Sequence, residues 1–309
     1  MGTLVGHVAP GFGFLVIGLW HLINHIKLHS LHPNSYVAPP WFPTPILRYL
    51  ELILIILGSL ASISMEIIIG PETHQPFDTD GTIPSNHLHN FEHASISLTF
   101  LIYAAFAIAF DRIKLRQRAS MTQLLGAVAF GQQLLLFHLH SADHMGVEGQ
   151  YHCLLQIVIA LSLATTLIGI WLPRSFMVSF VRSMSIAFQG VWFIVMGFML
   201  WTPSLIPKGC FINSEDGHQV VRCHSDEALH RAKSLVNIQF SWYVAAMAVF
   251  SMLLYLFLTK RYPEAPEYLP LVKEGGQEDD EDLESQKRLG ESDSFVHMGK
   301  GIGAMELER

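Results

Sequence analysis

The chain has 309 residues, of which half are hydrophobic and only 15% are charged, and its formal net charge at pH 7 is −7. Its mean hydropathy is +0.35, which is too apolar for a soluble domain of this size, so the composition predicts a membrane protein. The sequence has no glycine-rich phosphate loop and no extended basic patch, which excludes nucleic-acid binding.

Seven apolar segments predict seven transmembrane helices. The hydrophobic core of a bilayer is about 30 Å thick, so a helix needs roughly 20 mostly apolar residues to cross it. The segments that meet this length are residues 8–28, 46–69, 91–110, 120–140, 151–172, 178–201 and 235–259. No Lys or Arg precedes the first segment, so a cleaved signal peptide is not expected there. The predicted fold class is therefore all-α, a polytopic seven-transmembrane-helix bundle over residues 1–261.

Positive charges predict the orientation of this bundle. Lys and Arg in short loops mark the cytosolic side of a membrane protein. The predicted first, third and fifth loops and the start of the tail carry Lys27, Arg48, Arg112, Lys114, Arg116, Arg118, Arg174, Arg182, Lys260 and Arg261. The second and fourth loops carry none, which predicts an extracytosolic N-terminus and a cytosolic C-terminus.

Two segments outside the helices carry their own signals. Residues 262–309 are rich in polar residues and contain the acidic run 278–282, which predicts a disordered acidic cytosolic tail. Within it, Tyr268-Leu269-Pro270-Leu271 has the form of a sorting signal for trafficking adaptors, although such short patterns also arise by chance. Cys210 and Cys223 lie in the sixth loop, on the predicted oxidising side, where a disulfide and two unrelated thiols are the alternatives.

Polar residues at helix ends form the main candidate site. Glu66 ends the second predicted helix, His93 opens the third, His140 ends the fourth and His152 opens the fifth. Because successive helices alternate in direction, all four residues are expected at the extracytosolic face and at similar depth. Imidazole and carboxylate ligands suit a divalent metal, with zinc or iron as the first choices. The alternative is a structural network of hydrogen-bonded caps.

A peptidase-like motif overlaps this set. His89, Glu92 and His93 have the His-x-x-Glu-His spacing of inverted zinc peptidases. Five residues are a weak signal, and no other peptidase feature accompanies them. His89 is therefore a secondary ligand candidate.

The segment between the fourth and fifth helices adds further candidates. His144 lies four residues after His140, which makes it the second of the weaker ligand candidates. Asp143 and Glu148 are carboxylates near these histidines. Each is a candidate for a general base or for a group that orients a ligating imidazole.

The opposite end of the predicted bundle is also polar. His21, His25 and His29 recur at four-residue spacing near the cytosolic end of the first helix. This stripe is more typical of interfacial side chains than of ligands. Glu51 lies three residues after Arg48, so we expect these two to pair on one helix face.

The sixth predicted helix carries Gln189, Gly190 and Gly197. Small residues permit close approach of a neighbouring helix, and a glutamine can hydrogen-bond across a bundle. We therefore expect this stretch to serve packing rather than cofactor binding.

Several short elements occur in a fixed order over roughly residues 1–260: Gly6-His7 with Pro10-Gly11, Leu50-Glu51, Met65-Glu66, His93, His140, His152, Gln189-Gly190-x-Trp192 and Trp242. Together they resemble the transmembrane protein 45 family, and its plant branch in particular. The resemblance implies a seven-helix protein of the Golgi, endosomal or plasma membrane, in a family without an established biochemical activity. Plant members are connected with stress or pathogen response.

The resemblance also sorts the candidate ligands. Glu66, His93, His140 and His152 match the family pattern, whereas His89, Glu92, His138 and His144 are particular to this branch. The peptidase interpretation needs His89 and Glu92, so the resemblance argues against it.

Three functions remain open from the sequence. The leading hypothesis is a metalloprotein whose extracytosolic site hydrolyses or oxidises a lipid-like small molecule within the lipid bilayer. The second is an ion or proton transporter that uses the same polar groups. The third is a non-catalytic membrane adaptor that acts through its tail.

Overall fold

The computed structural model describes residues 3–71, 74–139, 146–215 and 218–264. Its long helices are α1 (Leu4–Leu31), α2 (Leu50–Ser64), α3 (Leu88–Arg112), α4 (Arg118–Leu139), α5 (Val147–Trp171), α6 (Phe176–Trp201) and α7 (Asp226–Arg261). A π-helical turn, Met65–Ile69, extends α2. Each predicted apolar segment falls on one of these helices, and the largest difference is at α7, which begins at Asp226 rather than at residue 235.

Six of the described helices are long and apolar enough to cross a membrane, α2 being taken together with its π-helical turn. The described helix α4 has 22 residues but carries glutamines at 123, 132 and 133 and is not one of the six. Many apolar side chains on the outside of the bundle are more than half exposed, for example Leu57, Leu253 and Phe257. Faces of this kind require an apolar surrounding such as lipid.

Helices that follow one another in the chain are neighbours in space. α2 packs on α3, α3 on α4, α4 on α5 and α5 on α6, while α1 packs mainly along α6. α7 contacts α1, α5 and α6. Successive helices alternate in direction, so the starts of α1 and α5 and the end of α6 lie at one end of the bundle, which we call the His7 end. The opposite end, where α1 finishes and α6 begins, is called the Arg182 end.

The backbones of α1 and α6 lie in direct contact. A Cβ atom added at Gly190 would lie 2.2 Å from the backbone nitrogen of Leu15. One added at Gly197 would lie 3.1 Å from the Cβ atom of His7. The predicted role of Gly190 and Gly197 in packing is therefore confirmed, and these glycines allow His7 to lie against the end of α6.

The sixth loop contains a two-stranded antiparallel hairpin of β1 (Cys210–Glu215) and β2 (His218–Cys223). Cys210 lies opposite Cys223 in the register, and a disulfide joins them, as one of the two alternatives predicted. Val221 in β2 is 4% exposed and packs into the core of the bundle. The fold is therefore mostly helical but not purely α. The prediction of an all-α fold missed this hairpin because a hydropathy pattern detects membrane spans and not short strands in a loop.

Residues 32–49, between α1 and α2, are part of the interior at the Arg182 end. Tyr36 and Phe42 are buried. The backbone N–H of Ala38 donates to the carbonyl oxygen of Pro173 at 2.8 Å, which ties this segment to the turn between α5 and α6. The segment therefore closes one end of the bundle.

The expected pairing of Arg48 with Glu51 is wrong. α2 begins at Leu50, so Arg48 precedes the helix and the two side chains do not share a helical face. Arg48 instead donates to a carboxylate oxygen of Asp111 at 2.9 Å. Glu51 is 3% exposed and lies 2.7 Å from Nε2 of His21.

Residues 265–309 lie outside the described residues. They include the sorting signal Tyr268-Leu269-Pro270-Leu271 and nearly all of the tail predicted from Tyr262. Both remain predictions.

Candidate metal centre

The first turn of α1 orients His7 as a possible ligand. The hydroxyl of Thr3 caps the helix by accepting the N–H of Gly6 at 3.0 Å. The carbonyl oxygen of Thr3 lies 3.0 Å from Nδ1 of His7. Because a carbonyl oxygen only accepts, Nδ1 carries the proton and Nε2 carries the lone pair. Metal-ligating histidines are commonly held in one tautomer by such a bond.

The first turns of α5 bring Glu148 and His152 onto one face. The helix begins at Val147 after the N-cap Gly146, and residues four apart on a helix are neighbours. Glu148 lies in the first turn, where the positive end of the helix dipole favours a carboxylate. His152 is 4% exposed. The start of α5 therefore offers a carboxylate and an imidazole from adjacent turns.

His7, Glu148 and His152 form a compact group of possible metal ligands. One ligand atom of each residue lies within 4.8 Å of the other two. A point equidistant from three atoms at this largest spacing lies about 2.8 Å from each, whereas zinc bonds to nitrogen and oxygen are about 2.0–2.2 Å long. Side-chain movements of less than about 1 Å therefore fit the group to a metal ion.

Aromatic rings surround the two imidazoles. The centroid of the His7 ring lies 4.5 Å from that of Trp201 and 6.1 Å from that of His152. The His152 ring lies 5.5 Å from Phe137. Apolar walls lower the local dielectric, which strengthens the attraction between a cation and its ligands.

Two other predicted ligands lie on the extension of α2 and on α3. Oε1 of Glu66 lies 3.3 Å from Nδ1 of His93, and the side-chain amide of Asn90 donates to Oε2 of Glu66 at 2.9 Å. The ring of His89 lies 6.2 Å from that of His93. The structure therefore brings Glu66 and His93 together, but within the described part of the chain neither belongs to the ligand group that contains His152.

The predicted site residues His140, Asp143 and His144 lie outside the described residues. Directly before them, Nδ1 of His138 lies 3.2 Å from Oε1 of Gln156 on α5. The end of α4 is thus joined to α5 one turn from His152. The roles of His140, Asp143 and His144 remain predictions.

His7 is the residue of this group that the sequence argument overlooked. It lies at the start of the first helix, and the predicted alternation of helix directions puts that start at the same face as the start of the fifth. The alternation of helix directions, which predicts a common face for four other helix ends, therefore applies to His7 as well. Glu148 was predicted as a base or an orienting group, and its position among the ligand atoms adds a third possible role.

Residues 119–256, from the start of α4 to near the end of α7, match the model of a family described as "Family of unknown function (DUF716)". The chain is 26% identical over 213 residues to transmembrane epididymal protein 1A of Mus musculus, which covers 66% of this chain and 68% of the relative. It is also 26% identical over 212 residues to transmembrane epididymal protein 1 of Rattus norvegicus, with 66% and 68% covered. The chain resembles a family of membrane proteins of unknown function.

The names of these relatives agree with the apolar helices of the structure. The relatives are named as transmembrane proteins, and six described helices are long and apolar enough to cross a membrane. The chain is a multi-pass membrane protein. The segment that matches the family contains Glu148 and His152, whereas His7 precedes it.

Proposed function

We propose that the chain is a membrane metalloprotein that holds one divalent metal ion, zinc or iron, with His7, Glu148 and His152. The observation that supports this is the approach of their three ligand atoms to within 4.8 Å of one another. Two imidazoles and one carboxylate suit both metals and leave coordination positions open. Open positions are typical of catalytic rather than structural sites.

The proposed reaction is hydrolysis or oxidation of a lipid-like small molecule. A divalent ion supplies Lewis acidity at a carbonyl or phosphoryl oxygen, or redox chemistry if it is iron. His7 and His152 hold the ion, and Glu148 either completes the ligand set or accepts a proton beside it. The group lies at an end of the bundle beside Trp201, and tryptophan is typical of the level where lipid headgroups meet protein.

The proposal includes α4 as a seventh span. α4 packs between α3 and α5, and its Gln123 and Gln133 are buried inside the bundle. Its 22 residues form about 33 Å of helix, which is sufficient to cross a bilayer core.

The family and the cellular location are also part of the proposal. We assign the chain to the plant branch of the transmembrane protein 45 family, with a role in stress or pathogen response. Its N-terminus is extracytosolic and its C-terminus cytosolic, in the Golgi, endosomal or plasma membrane. The charge pattern of the loops supports this orientation, and trafficking adaptors that read Tyr268-Leu269-Pro270-Leu271 would determine the compartment.

Elemental analysis of the detergent-purified full chain tests whether the protein binds a metal ion. We expect about one zinc or iron per chain, and loss of that metal in the double variant His7→Ala/His152→Ala. His230→Ala is the matched control, because His230 is an exposed histidine on α7. No stoichiometric metal in the wild type, or full metal in the double variant, would refute the proposal.

A third variant tests whether Glu66 and His93 contribute to metal binding. His93→Ala removes the partner that lies 3.3 Å from Glu66. If the metal content falls as far as in the double variant, the ligand set predicted from the sequence is extended to this pair. If it stays at one per chain, the ion is held by His7, Glu148 and His152 without them.

A second candidate function, transport of an ion or a proton, is supported by buried polar side chains in the middle of the bundle. Nε2 of Gln189 donates to Oγ of Ser162 at 2.8 Å, and the hydroxyls of Ser162 and Ser185 lie 2.9 Å apart. The hydroxyl of Ser185 donates to the carbonyl oxygen of Arg182 at 2.8 Å. Hydrogen bonds thus connect the middle of the bundle with the Arg182 end.

Proteoliposomes that contain a pH-sensitive dye test this function. Transport predicts proton flux above that of protein-free liposomes, and its loss in Gln189→Leu, which removes the donor to Ser162. Flux equal to that of protein-free liposomes would exclude proton transport.

A further inference from the structure

Basic side chains from three parts of the chain meet at the Arg182 end of the bundle. Arg48 precedes α2, Arg112 ends α3 and Arg118 begins α4. Arg48 donates to Oδ2 of Asp111 at 2.9 Å, and Nε of Arg118 lies 3.8 Å from Oδ1 of the same carboxylate. The guanidinium carbons of Arg48 and Arg112 lie 5.8 and 5.7 Å from the ring centroid of Tyr49. Asp111 and Tyr49 therefore hold three guanidinium groups close together.

The turn between α3 and α4 adds two more cations, Lys114 and Arg116. The backbone N–H of Leu115 donates to the carbonyl oxygen of Phe110 at 3.1 Å. The N–H of Lys114 donates to the carbonyl oxygen of Asp111 at 3.2 Å. These two bonds form a Schellman motif, in which Lys114 has the left-handed conformation, with a φ of 57°. Backbone hydrogen bonds thus fix the turn that carries these cations.

These five cations form what we call the basic surface, which consists of Arg48, Arg112, Lys114, Arg116 and Arg118. All five side chains are exposed. Asp111 is the only acidic residue of segments 32–49 and 110–120, so the surface and Asp111 together carry a net charge of +4. Among the residues that the structure describes, only Arg48 and Arg118 have an ion pair within the surface. The excess of cations favours an anionic partner.

The guanidinium of Arg182 does not belong to the basic surface. The charge pattern of the sequence grouped Arg182 with the loop cations, but it lies in the second turn of α6 and is 5% exposed. Its Nη2 lies 3.5 Å from Nε2 of His25, which is also buried. The interfacial position expected for His25 is therefore wrong. Both residues are part of the interior, and the basic surface lies outside it.

Exposed apolar side chains lie beside the cations of the basic surface. Ile113 and Leu115, in the turn after α3, are 73% and 38% exposed. Ile46 and Leu47, directly before Arg48, are 100% and 45% exposed. Both α3 and α2 with its π-helical turn are long and apolar enough to cross a membrane, so residues next to their ends lie near the bilayer surface. Basic and apolar side chains together suit the boundary between phospholipid headgroups and acyl chains.

From this arrangement we propose that the basic surface binds the anionic headgroups of membrane phospholipids. Headgroup oxygens accept hydrogen bonds from the guanidinium groups, and Ile46 and Ile113 enter the acyl boundary. The proposed orientation puts this surface at the cytosolic leaflet, which is the leaflet with the negative surface charge. Free phosphate or an acidic peptide would match the charge but not the exposed apolar side chains. The surface lies at the opposite end of the bundle from the proposed metal centre and does not depend on it.

Thermal unfolding of the full chain, purified in a non-ionic detergent, measures the binding. The micelles receive increasing mole fractions of phosphatidylserine or of phosphatidylcholine with the same acyl chains, at constant ionic strength. We expect a saturable rise in Tm with phosphatidylserine that is much larger than with phosphatidylcholine and that decreases at high salt. No rise with phosphatidylserine, or equal rises with both lipids, would overturn the proposal.

Lys114→Gln/Arg116→Gln tests the location of the binding surface. Each Lys or Arg near an anionic surface contributes about a fivefold change in affinity, so the half-saturating mole fraction of phosphatidylserine should rise about fivefold for each charge removed. Lys208→Gln/Arg231→Gln is the matched control, because it removes two exposed cations at the His7 end, and its response should equal that of the wild type. A shift in the control, or no shift in Lys114→Gln/Arg116→Gln, contradicts the proposal.

Inorganic phosphate and soluble polyglutamate distinguish a lipid from other anionic partners. A rise in Tm with either anion that equals the rise with phosphatidylserine would assign the surface to a free anion or to an acidic protein segment, and would overturn the proposal.

Ile46→Asn/Ile113→Asn tests the apolar part of the surface and keeps every charge. Both side chains are exposed, so the variant is expected to fold. Its response to phosphatidylserine should weaken because two side chains no longer enter the acyl boundary. An unchanged response would show that charge alone is recognised and would refute the lipid contact.

Discussion

Gly190→Ala should disrupt the contact between α1 and α6. The added Cβ would lie 2.2 Å from the backbone nitrogen and 2.6 Å from the Cα atom of Leu15, and 2.5 Å from the carbonyl oxygen of Gly11. These are backbone atoms, so no change of rotamer relieves the overlap. An ordinary contact distance of 3.4 Å requires α1 to move by about 1.2 Å, and overpacking of this kind costs about 3 kcal/mol, at the upper end of its usual range.

Thermal unfolding in detergent checks this magnitude. In a domain of this size 1 kcal/mol corresponds to roughly 2–4 °C, so Tm should fall by about 6–12 °C. Gly13→Ala is the control on the same helix, since nothing lies within 4 Å of its added Cβ, and its Tm should be unchanged or slightly higher. Metal content should also fall in Gly190→Ala, because the movement of α1 carries His7 with it. Equal Tm values for the two variants would refute this account of the contact.

Three further predictions concern other parts of the fold. Replacing Cys210 and Cys223 by Ser opens a bridge between residues 13 apart in sequence and should lower the free energy of unfolding by about 3 kcal/mol, measured as a lower Tm. Glu51→Gln removes an acceptor of buried N–H groups and should cost about 2 kcal/mol by the same assay. The hydrogen bond from Arg222 holds the pKa of Glu215 below its ordinary value of 4.5, so this ion pair stabilises the hairpin above pH 4.5 and is lost as the pH falls through the lowered pKa. The protection of amides 210–223 against hydrogen exchange, taken relative to their intrinsic exchange rate at each pH, should therefore fall in acid, and Glu215→Gln should remove that dependence.

Hydropathy predicted most of the helical framework because most spans are continuous apolar runs. Residues 50–69, for example, have a mean hydropathy of 2.5 over their most apolar window. The early start of α7 at Asp226 was not predicted, because its first turns are charged and are stabilised by the Ser225 cap instead of by burial. The hairpin and the buried segment 32–49 were also missed. Both acquire their structure from contacts with assembled helices, which a local pattern does not contain.

The positions of some candidate site residues were also predictable, because the directions of successive helices alternate. Alternating helix directions predicted that Glu66 and His93 lie at the same end of the bundle, and these two side chains are in contact. The contact of His7 with the start of α5 depends on the packing of α1 along α6, which joins residues far apart in the sequence. Arg182 was misread because a cation near a helix start resembles a loop charge until its burial is known.

The packing of α1 against α6 also affects how the protein folds during its synthesis. α1 ends at Leu31 and α6 begins at Phe176, so at ordinary rates of translation α1 waits about 10–30 s in the membrane before its partner is synthesised. During that interval Gly11, which contacts α6 in the complete fold, and His25, which is buried there, are without the helix that covers them. A chain that stops before α6 leaves His25 without the guanidinium of Arg182, which lies 3.5 Å from it in the complete fold. An unfinished copy therefore differs from the complete protein by a polar surface on α1 that includes His21 and His25, both buried in the complete fold.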